Sequence, residues 1–221
     1  MSVQYTINFL NQQKSTNDYT LFMQPPASDF STAVWRQETV SDDGNFQIVL
    51  TPEIYAWVGT APKQVAPGVV VGRGQGKIAI LGSDSAKGST FDALARQGAI
   101  SMKEGTPSAS PGNFQISVDP YQPDGTAYLM GMAQLDSHQI PSPVAVVPAT
   151  PNMTKNVLPI YKFFIAQETH EPREIVDFNG ISKKAGVVDF SQGPGLTQHV
   201  ATVYHKKDGS FETKYSYTFN N

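Results

Sequence analysis

Residues 156–178 read NVLPIYKFFIAQETHEPREIVDF and contain the longest apolar run of the chain. Within residues 157–166 only Lys162 is charged, and β-branched and aromatic side chains predominate. Such a run is typical of an extended strand buried on both faces, because a surface helix would show a single apolar stripe. The polar residues 167–174 interrupt the run, and residues 175–178 resume it. We therefore predict two core strands joined by an exposed loop.

Alternation of apolar and polar residues predicts further strands on both sides of this run. Only one stretch has helix signals, at residues 89–98, where Ser89 and Asp92 resemble a capping box and Gly98 would close the helix. Residues 144–147 lie among prolines and should form an edge strand or an extended linker. The clearest strand predictions cover residues 3–9, 19–24, 33–40, 46–51, 54–58, 114–118 and 128–132. The predicted fold class is therefore all-β, an antiparallel β-sandwich or flattened barrel with at most one short helix.

The C-terminal residues predict a hairpin around Asp208-Gly209. A two-residue turn at this point pairs His205 with Glu212 across the hairpin. The same register assigns one face to the core, with the residues Val200, Thr202 and Tyr204 opposite Tyr217, Tyr215 and Thr213.

The chain has 221 residues and a hydrophobic fraction of 39%, which suits one all-β domain over residues 1–221. Residues 72–112 are rich in Gly and Ser and hold a single aromatic residue. Because they offer little apolar surface to bury, we predict that this segment is mobile. It alternates too weakly for membrane-spanning strands, so a gating or docking role is favoured.

Composition excludes several classes of partner and chemistry. The net charge of −3 and the scarcity of adjacent basic residues argue against nucleic acid as a partner. The absence of cysteine excludes disulfides and thiol catalysis. No stretch is long and apolar enough for a transmembrane segment, and the first residues lack a Sec-type signal peptide. We expect cytoplasmic synthesis, with release by lysis or a non-classical route.

Motifs for catalysis, metals and cofactors fail on their spacing. Residues 69–77 read VVVGRGQGK, but neither the dinucleotide fingerprint nor the P-loop fits, since strand-like residues follow. His170 lies near Glu171 and Glu174, but these provide fewer rigid ligands than a metal normally requires. No Gly-x-Ser-x-Gly or Ser-x-x-Lys pattern occurs. We predict no catalytic residue, no bound metal and no cofactor.

Five aromatic side chains are the candidate binding residues. Tyr55 and Trp57 alternate along one strand, and Tyr204, Tyr215 and Tyr217 belong to the C-terminal hairpin. Aromatic rings offer rigid amphipathic area for a sugar or a lipid. Their alternative role is to fill the interior of the sandwich.

Two portions of the chain carry a family resemblance. The opening YTINFLNQQ and YTLFMQPP, and the later PSPVAVVPATPNMTKNVLPIYKFFIAQ with REIVDFNGIS, resemble the rhizosphere-expressed RhiA-type proteins of soil bacteria. The resemblance covers the first 25 residues and residues 141–190. It implies a bacterial source and an all-β fold, and it assigns no functional residue.

These observations lead to three hypotheses on function. The first is a non-enzymatic bacterial β-protein that meets the surface of a target cell through a glycan, lipid or protein; a toxin-like, insecticidal role is its sharpest form. The second is a structural protein that self-associates into a homo-oligomer through strand edges. The third is a hydrolase of unrecognised type, because catalytic triads can assemble from distant residues.

Overall fold

The computed structural model describes residues 3–217. It is 51% strand and 5% helix, so the predicted all-β fold class is confirmed. None of its sheets closes on itself, which selects the sandwich over the flattened barrel. The strands are β1 (Tyr5–Asn11), β2 (Asn17–Met23), β3 (Ser31–Ala33), β4 (Arg36–Val40), β5 (Asn45–Leu50), β6 (Ile54–Ala61), β7 (Gln75–Ala79), β8 (Thr90–Arg96), β9 (Ala99–Glu104), β10 (Phe114–Val118), β11 (Ala127–Leu135), β12 (Pro141–Pro148), β13 (Thr154–Val157), β14 (Lys162–Ala166), β15 (Ile175–Val176), β16 (Gly186–Asp189), β17 (Val200–His205) and β18 (Phe211–Ser216).

The strands form four open sheets. Three have four strands each, in the orders β18-β17-β1-β5, β13-β10-β8-β9 and β16-β14-β2-β4, and the fourth has six, in the order β15-β3-β12-β11-β6-β7. Most neighbouring strands are antiparallel, but β1 pairs with β17 and β8 pairs with β10 in parallel. The pair of β1 and β17 joins distant parts of the chain, and hairpin signals reveal neither of the two parallel pairs.

One large apolar core holds the sheets together. It contains buried side chains from each sheet, for example Ile7 on β1, Phe91 on β8, Met130 on β11 and Phe163 on β14. Trp35 lies in the same core, with its ring centroid 5.8 Å from that of Phe163. The sheets therefore pack against a shared interior, as expected of a sandwich.

The apolar run of residues 156–178 forms a core strand as predicted. In β14, four consecutive residues from Phe163 to Ala166 are buried, so both faces of the strand are covered. The second apolar part is shorter than predicted, because β15 ends at Val176. Asp177 then caps the helix α1 (Phe178–Ile181) by accepting a hydrogen bond from the backbone N–H of Asn179.

The helix predicted at residues 89–98 is wrong, since this stretch contains the strand β8 and its turn into β9. Phe91, Ala93 and Ala95 alternate as buried residues along β8. Gln97 and Gly98 have φ values of 51° and 78°, which is the two-residue turn that matches strand twist. The period-two pattern decides the structure here, and the resemblance to a capping box does not.

The placement of residues 144–147 on an edge or in a linker is also wrong. They lie in β12, an interior strand between β3 and β11. The ladder with β3 involves only Ala145 and Val146, so the prolines of β12 lie outside it. A register shift in the pairing with β11, between Met132 and Ala133, accommodates Pro143.

The C-terminal hairpin forms, but its predicted register is wrong by one residue. His205 lies opposite Phe211, and Glu212 lies opposite Tyr204. The backbone N–H of Lys206 donates to the carbonyl of Ser210, so the loop has three residues. Gly209 closes that loop with a φ of 84°, the left-handed third position of a three-residue hairpin.

This shift exchanges the two faces of β17, whereas Thr213 and Tyr215 of β18 stay opposite core residues. The residues of β17 that face the core are Ala201, Val203 and His205, in place of the predicted Val200, Thr202 and Tyr204. His205 is 1% exposed, and Glu212 instead contacts Lys206 and Lys214.

The Gly- and Ser-rich residues 72–112 contain the three strands β7, β8 and β9. The strand β7 begins at Gln75, so residues 69–77 lead into a strand as predicted, and Val69 and Val71 before it are buried. The mobility of residues 72–112 stays a prediction. Within residues 3–217, no helix combines the length and apolar character needed to cross a membrane.

Candidate functional site: an arginine-lined cleft

Two of the five candidate aromatic residues lie in the interior. Trp57 is fully buried, and Tyr55 and Trp57 belong to an apolar cluster beside β6. The indole N–H of Trp57 donates to the backbone carbonyl of Arg73 at 2.8 Å. These side chains therefore support the fold and the loop around Arg73, where a ligand could not reach their rings.

The three tyrosines of the hairpin do not share one face. Tyr204 lies opposite Glu212, whereas Tyr215 lies opposite Ala201 and accepts a hydrogen bond from the backbone N–H of Asp189 at 2.7 Å. Tyr217 is 61% exposed. The register that would have aligned Tyr204 with Tyr215 is not formed, so these rings do not build a continuous aromatic surface.

The structure instead presents a cleft in which three arginines converge. We call it the arginine cleft, and its cavity volume is about 310 Å³. Four segments form its walls: the start of β4, the loop before β7, the loop that leads into β12, and residues 167–174 before β15. The lining residues are Trp35, Arg36, Gln37, Glu38, Arg73, Asp136, Ser137, His138, Ile140, Pro141, Ser142, Glu171, Pro172 and Arg173.

Arg36 is held against the floor of the arginine cleft. Its guanidinium carbon lies 4.6 Å from the ring centroid of Trp35, within the range of a cation–π contact. Trp35 is fixed in turn, because its indole N–H donates to the carbonyl of Leu135 at 2.9 Å. The Nε of Arg36 is buried and has no hydrogen-bond partner among the described residues. Burial lowers the pKa of Arg36, with Glu38 and Asp136 opposing that effect, but a guanidinium remains charged in proteins.

The other two guanidiniums are placed by the backbone of their loops. Arg173 has a left-handed φ of 72°, and its Nη1 donates to the carbonyl of Val71 at 2.9 Å. Its backbone N–H donates to Val34, which precedes the floor residues of the cleft. Arg73 is exposed, and its own carbonyl is fixed by Trp57. The local backbone geometry of the two loops therefore holds Arg73 and Arg173 in the same cleft.

Three carboxylates, those of Glu38, Asp136 and Glu171, share the cleft with the three arginines. Within residues 3–217, no arginine forms an ion pair, because each salt bridge there involves lysine or histidine. The cleft therefore has balanced charge and guanidiniums that are not neutralised by a bonded carboxylate.

His170 fixes the loop that carries one wall of the cleft. Its Nδ1 lies 2.9 Å from Glu174 and its Nε2 lies 3.1 Å from Glu168. Its backbone N–H donates to the side chain of Gln37 at 3.2 Å. Partial burial lowers the pKa of His170, but the hydrogen bonds and charges of the two carboxylates outweigh burial and raise it. Both ring nitrogens can donate only when the imidazole is protonated, so protonation holds the loop together.

The group of His170, Glu171 and Glu174 that the sequence indicated is therefore only partly present in the structure. Glu171 reaches Glu174 through its backbone N–H, and its side chain lines the arginine cleft. The second carboxylate at His170 is Glu168, two residues upstream. In the described residues, no three His, Cys, Asp or Glu side chains are arranged to hold a metal ion.

The comparisons with known proteins give one match. A family model described as RhiA matches residues 2–214. No curated protein and no solved structure matches the chain.

Proposed function

The chain belongs to the RhiA family, and from that premise we propose that it is a non-enzymatic bacterial protein that binds the surface of a target cell. The arginine cleft is the binding site in this proposal, and it receives an anionic group of the target. A single observation carries the proposal: Arg36 is held over Trp35, and its buried Nε has no hydrogen-bond partner within residues 3–217. A buried charged donor is costly unless a ligand or another group accepts from it.

The chemistry of guanidinium supports binding. Its planar fork matches the oxygens of carboxylate, sulfate or phosphate, and charge-assisted hydrogen bonds of this kind are stronger than neutral ones. Arg73 and Arg173 lie in the same cleft and have no ion-pair partner among the described residues. Three such groups at one place favour an anion over an uncharged ligand.

A hydrolytic reaction at the same place has less support. The hydroxyl of Ser137 lies 3.3 Å from Nδ1 of His138, but the two residues are neighbours in an exposed loop. In serine hydrolases a third group orients the histidine through its other nitrogen. Among the described hydrogen bonds, His138 receives no such support, because Asp136 accepts from its backbone N–H.

Binding to whole cells tests the proposal. Fluorescently labelled protein is titrated onto cultured insect cells and onto plant root cells, and bound fluorescence is measured for the native chain and for Arg36→Gln. We expect Arg36→Gln to weaken binding about tenfold or more, since a charge-assisted hydrogen bond contributes about 1.5–3 kcal/mol. Arg96→Gln is the matched control, because Arg96 lies on β8 outside the cleft and the charge change is the same.

Equal cell binding by the native chain and Arg36→Gln would overturn the role of the cleft. The toxin-like form of the proposal predicts an additional effect on the cells. Cells that bind the native chain should lose viability or leak a small dye, and Arg36→Gln should reduce both effects in proportion to its lost binding. Binding without any loss of viability would refute the toxin-like form alone.

A further inference from the structure

We propose that the arginine cleft recognises an acidic sugar residue, that is, a pyranose with one carboxylate and several hydroxyl groups. This inference rests on the proposed function and names the chemical class of the ligand. It follows from three properties of the cleft: its balanced charge, its uncommitted hydrogen-bond acceptors and its size.

The charge balance selects a ligand with one negative charge. Three guanidiniums share the cleft with three carboxylates, and in the described part of the chain none of these arginines forms an ion pair. A multiply charged phosphate would bring its charge close to Glu38, Asp136 and Glu171, and like charges repel at such distances. A neutral sugar would leave the buried Nε of Arg36 without an anionic acceptor. A monoanion satisfies Arg36 at the smallest repulsive cost.

The carboxylates of the cleft are suited to hydroxyl donors. Glu38 and Glu171 accept no side-chain hydrogen bond among the described residues. Asp136 uses Oδ1 to accept from the backbone N–H groups of His138 and Ile140, at 2.8 and 3.0 Å. This fixes the carboxylate in place and leaves Oδ2 for a ligand. An ionised carboxylate only accepts hydrogen bonds, so these groups call for a ligand rich in O–H.

The size and the apolar walls fit a sugar ring. The volume of about 310 Å³ is at the lower end of the range for small-molecule pockets. Ile140, Pro141 and Pro172 contribute carbon surface next to the polar groups. A pyranose has C–H faces as well as hydroxyls, and it can use both kinds of wall. A lipid chain would leave most of the charged groups of the cleft without partners.

Isothermal titration calorimetry on the full chain tests this inference with trigalacturonate as the probe, in which each pyranose carries one carboxylate, so that a single acidic residue occupies the cleft. Its methyl ester, which keeps every hydroxyl and loses the negative charges, is the matched ligand control, and inorganic phosphate tests a free anion. We expect the methyl ester and phosphate to bind at least about tenfold more weakly than trigalacturonate, a difference of about 1.4 kcal/mol in binding free energy. Equal affinity for trigalacturonate and its methyl ester, or tighter binding of phosphate, would overturn the inference.

Two variants assign the binding to this cleft. Arg36→Gln removes the guanidinium on Trp35, and Arg73→Gln removes one on an exposed loop where the fold does not depend on the side chain. Both should weaken binding of trigalacturonate about tenfold or more, and Arg96→Gln should not. Unchanged affinity in Arg73→Gln and Arg36→Gln would place the sugar elsewhere and refute the inference. If cell binding depends on Arg36 but trigalacturonate does not bind, the ligand class is wrong and the proposed function stands.

Discussion

The hydrogen bond between Tyr19 and His205 joins β2 to β17 inside the core, and its removal should show how a buried polar pair contributes to stability. The phenol oxygen lies 2.9 Å from Nδ1 of the imidazole. Tyr19 is fully buried and His205 is 1% exposed. Burial raises the pKa of Tyr19 to about 12 and lowers the pKa of His205. At neutral pH the phenol therefore keeps its proton and the imidazole is neutral, so the hydrogen bond joins two uncharged groups.

Each single substitution leaves one buried group without a partner. Tyr19→Phe leaves Nδ1 of His205 without its partner, and His205→Phe leaves the phenol O–H of Tyr19 without its partner. Each substitution should therefore destabilise the protein by about 1–3 kcal/mol. His205→Phe keeps a flat ring at the position that stacks on Phe211, where the ring centroids are 4.2 Å apart. The double variant removes both polar groups, so neither is left buried without a partner. Its free energy of unfolding should return to within about 1 kcal/mol of the native value, because replacing both partners by apolar groups is nearly neutral.

Urea denaturation followed by tryptophan fluorescence measures the four proteins of this cycle. With an m value of about 2 kcal/mol/M, each single variant should lower the midpoint by about 0.5–1.5 M. A double variant whose loss of stability equals the sum of the two single losses would refute the reasoning, since independent residues show no interaction energy.

The same variants predict a dependence on pH. The pKa of His205 is lowered in the folded state relative to about 6.5 in the unfolded state. The unfolded chain therefore binds a proton that the folded chain does not, as the pH falls below 6.5. The stability of the native protein relative to His205→Phe should be constant above pH 6.5 and should fall as the pH decreases from there. A difference that does not change with pH would show that His205 is not held neutral.

Three further predictions concern His170 and the C-terminal hairpin. The pKa of His170 is raised in the folded state, so the native protein should be more stable than His170→Gln below pH 6.5, and this difference should fall as the pH rises through the folded pKa. Urea denaturation at a series of pH values measures the difference. A difference that does not change with pH would contradict the prediction. Gly209→Ala should cost about 1–2 kcal/mol, since φ is 84° while no atom lies within 4 Å to oppose a methyl group; calorimetry that shows no loss would refute the strain. Thr202→Cys with Lys214→Cys should oxidise to a disulfide, because these residues are Cα partners, whereas Thr202→Cys with Tyr215→Cys should remain reduced. The opposite result in a thiol assay would support the two-residue turn.

Much of the fold follows from local patterns in the sequence. Alternation identifies most of the strands, and the apolar run of residues 156–178 identifies the buried strand β14. The errors arise where two local signals compete. At residues 89–98 a weak cap signal competes with period-two burial, and at Asp208-Gly209 the turn length is not fixed by the two residues alone. One additional loop residue exchanges the buried and exposed faces of the strand β17 relative to its partner β18.

The arginine cleft could not be predicted from sequence spacing. Arg36, Arg73 and Arg173 come from three separate segments, and no motif relates them. Only tertiary packing brings them together. The contact of His170 with Glu174 could be predicted from the sequence, because residues four apart can meet. The contact with Glu168 could not, because it depends on the path of the loop. Tyr55 and Trp57 lie in the interior, as large rings mostly do in sandwiches, whereas Tyr217 is exposed. A binding role for the aromatic residues stays a prediction.

The parallel pairing of β1 with β17 sets the order in which this protein can fold on the ribosome. Contacts such as that between Asn8 and Thr202 span 194 residues. At a synthesis rate of about 5–20 residues per second, β1 waits roughly 10–40 s for this neighbour. During that time β5 can cover one side of β1, while the other side exposes unpaired backbone groups. A nascent chain is thus open to pairing with other chains until β17 has been synthesised, and truncation before β17 would make that exposure permanent.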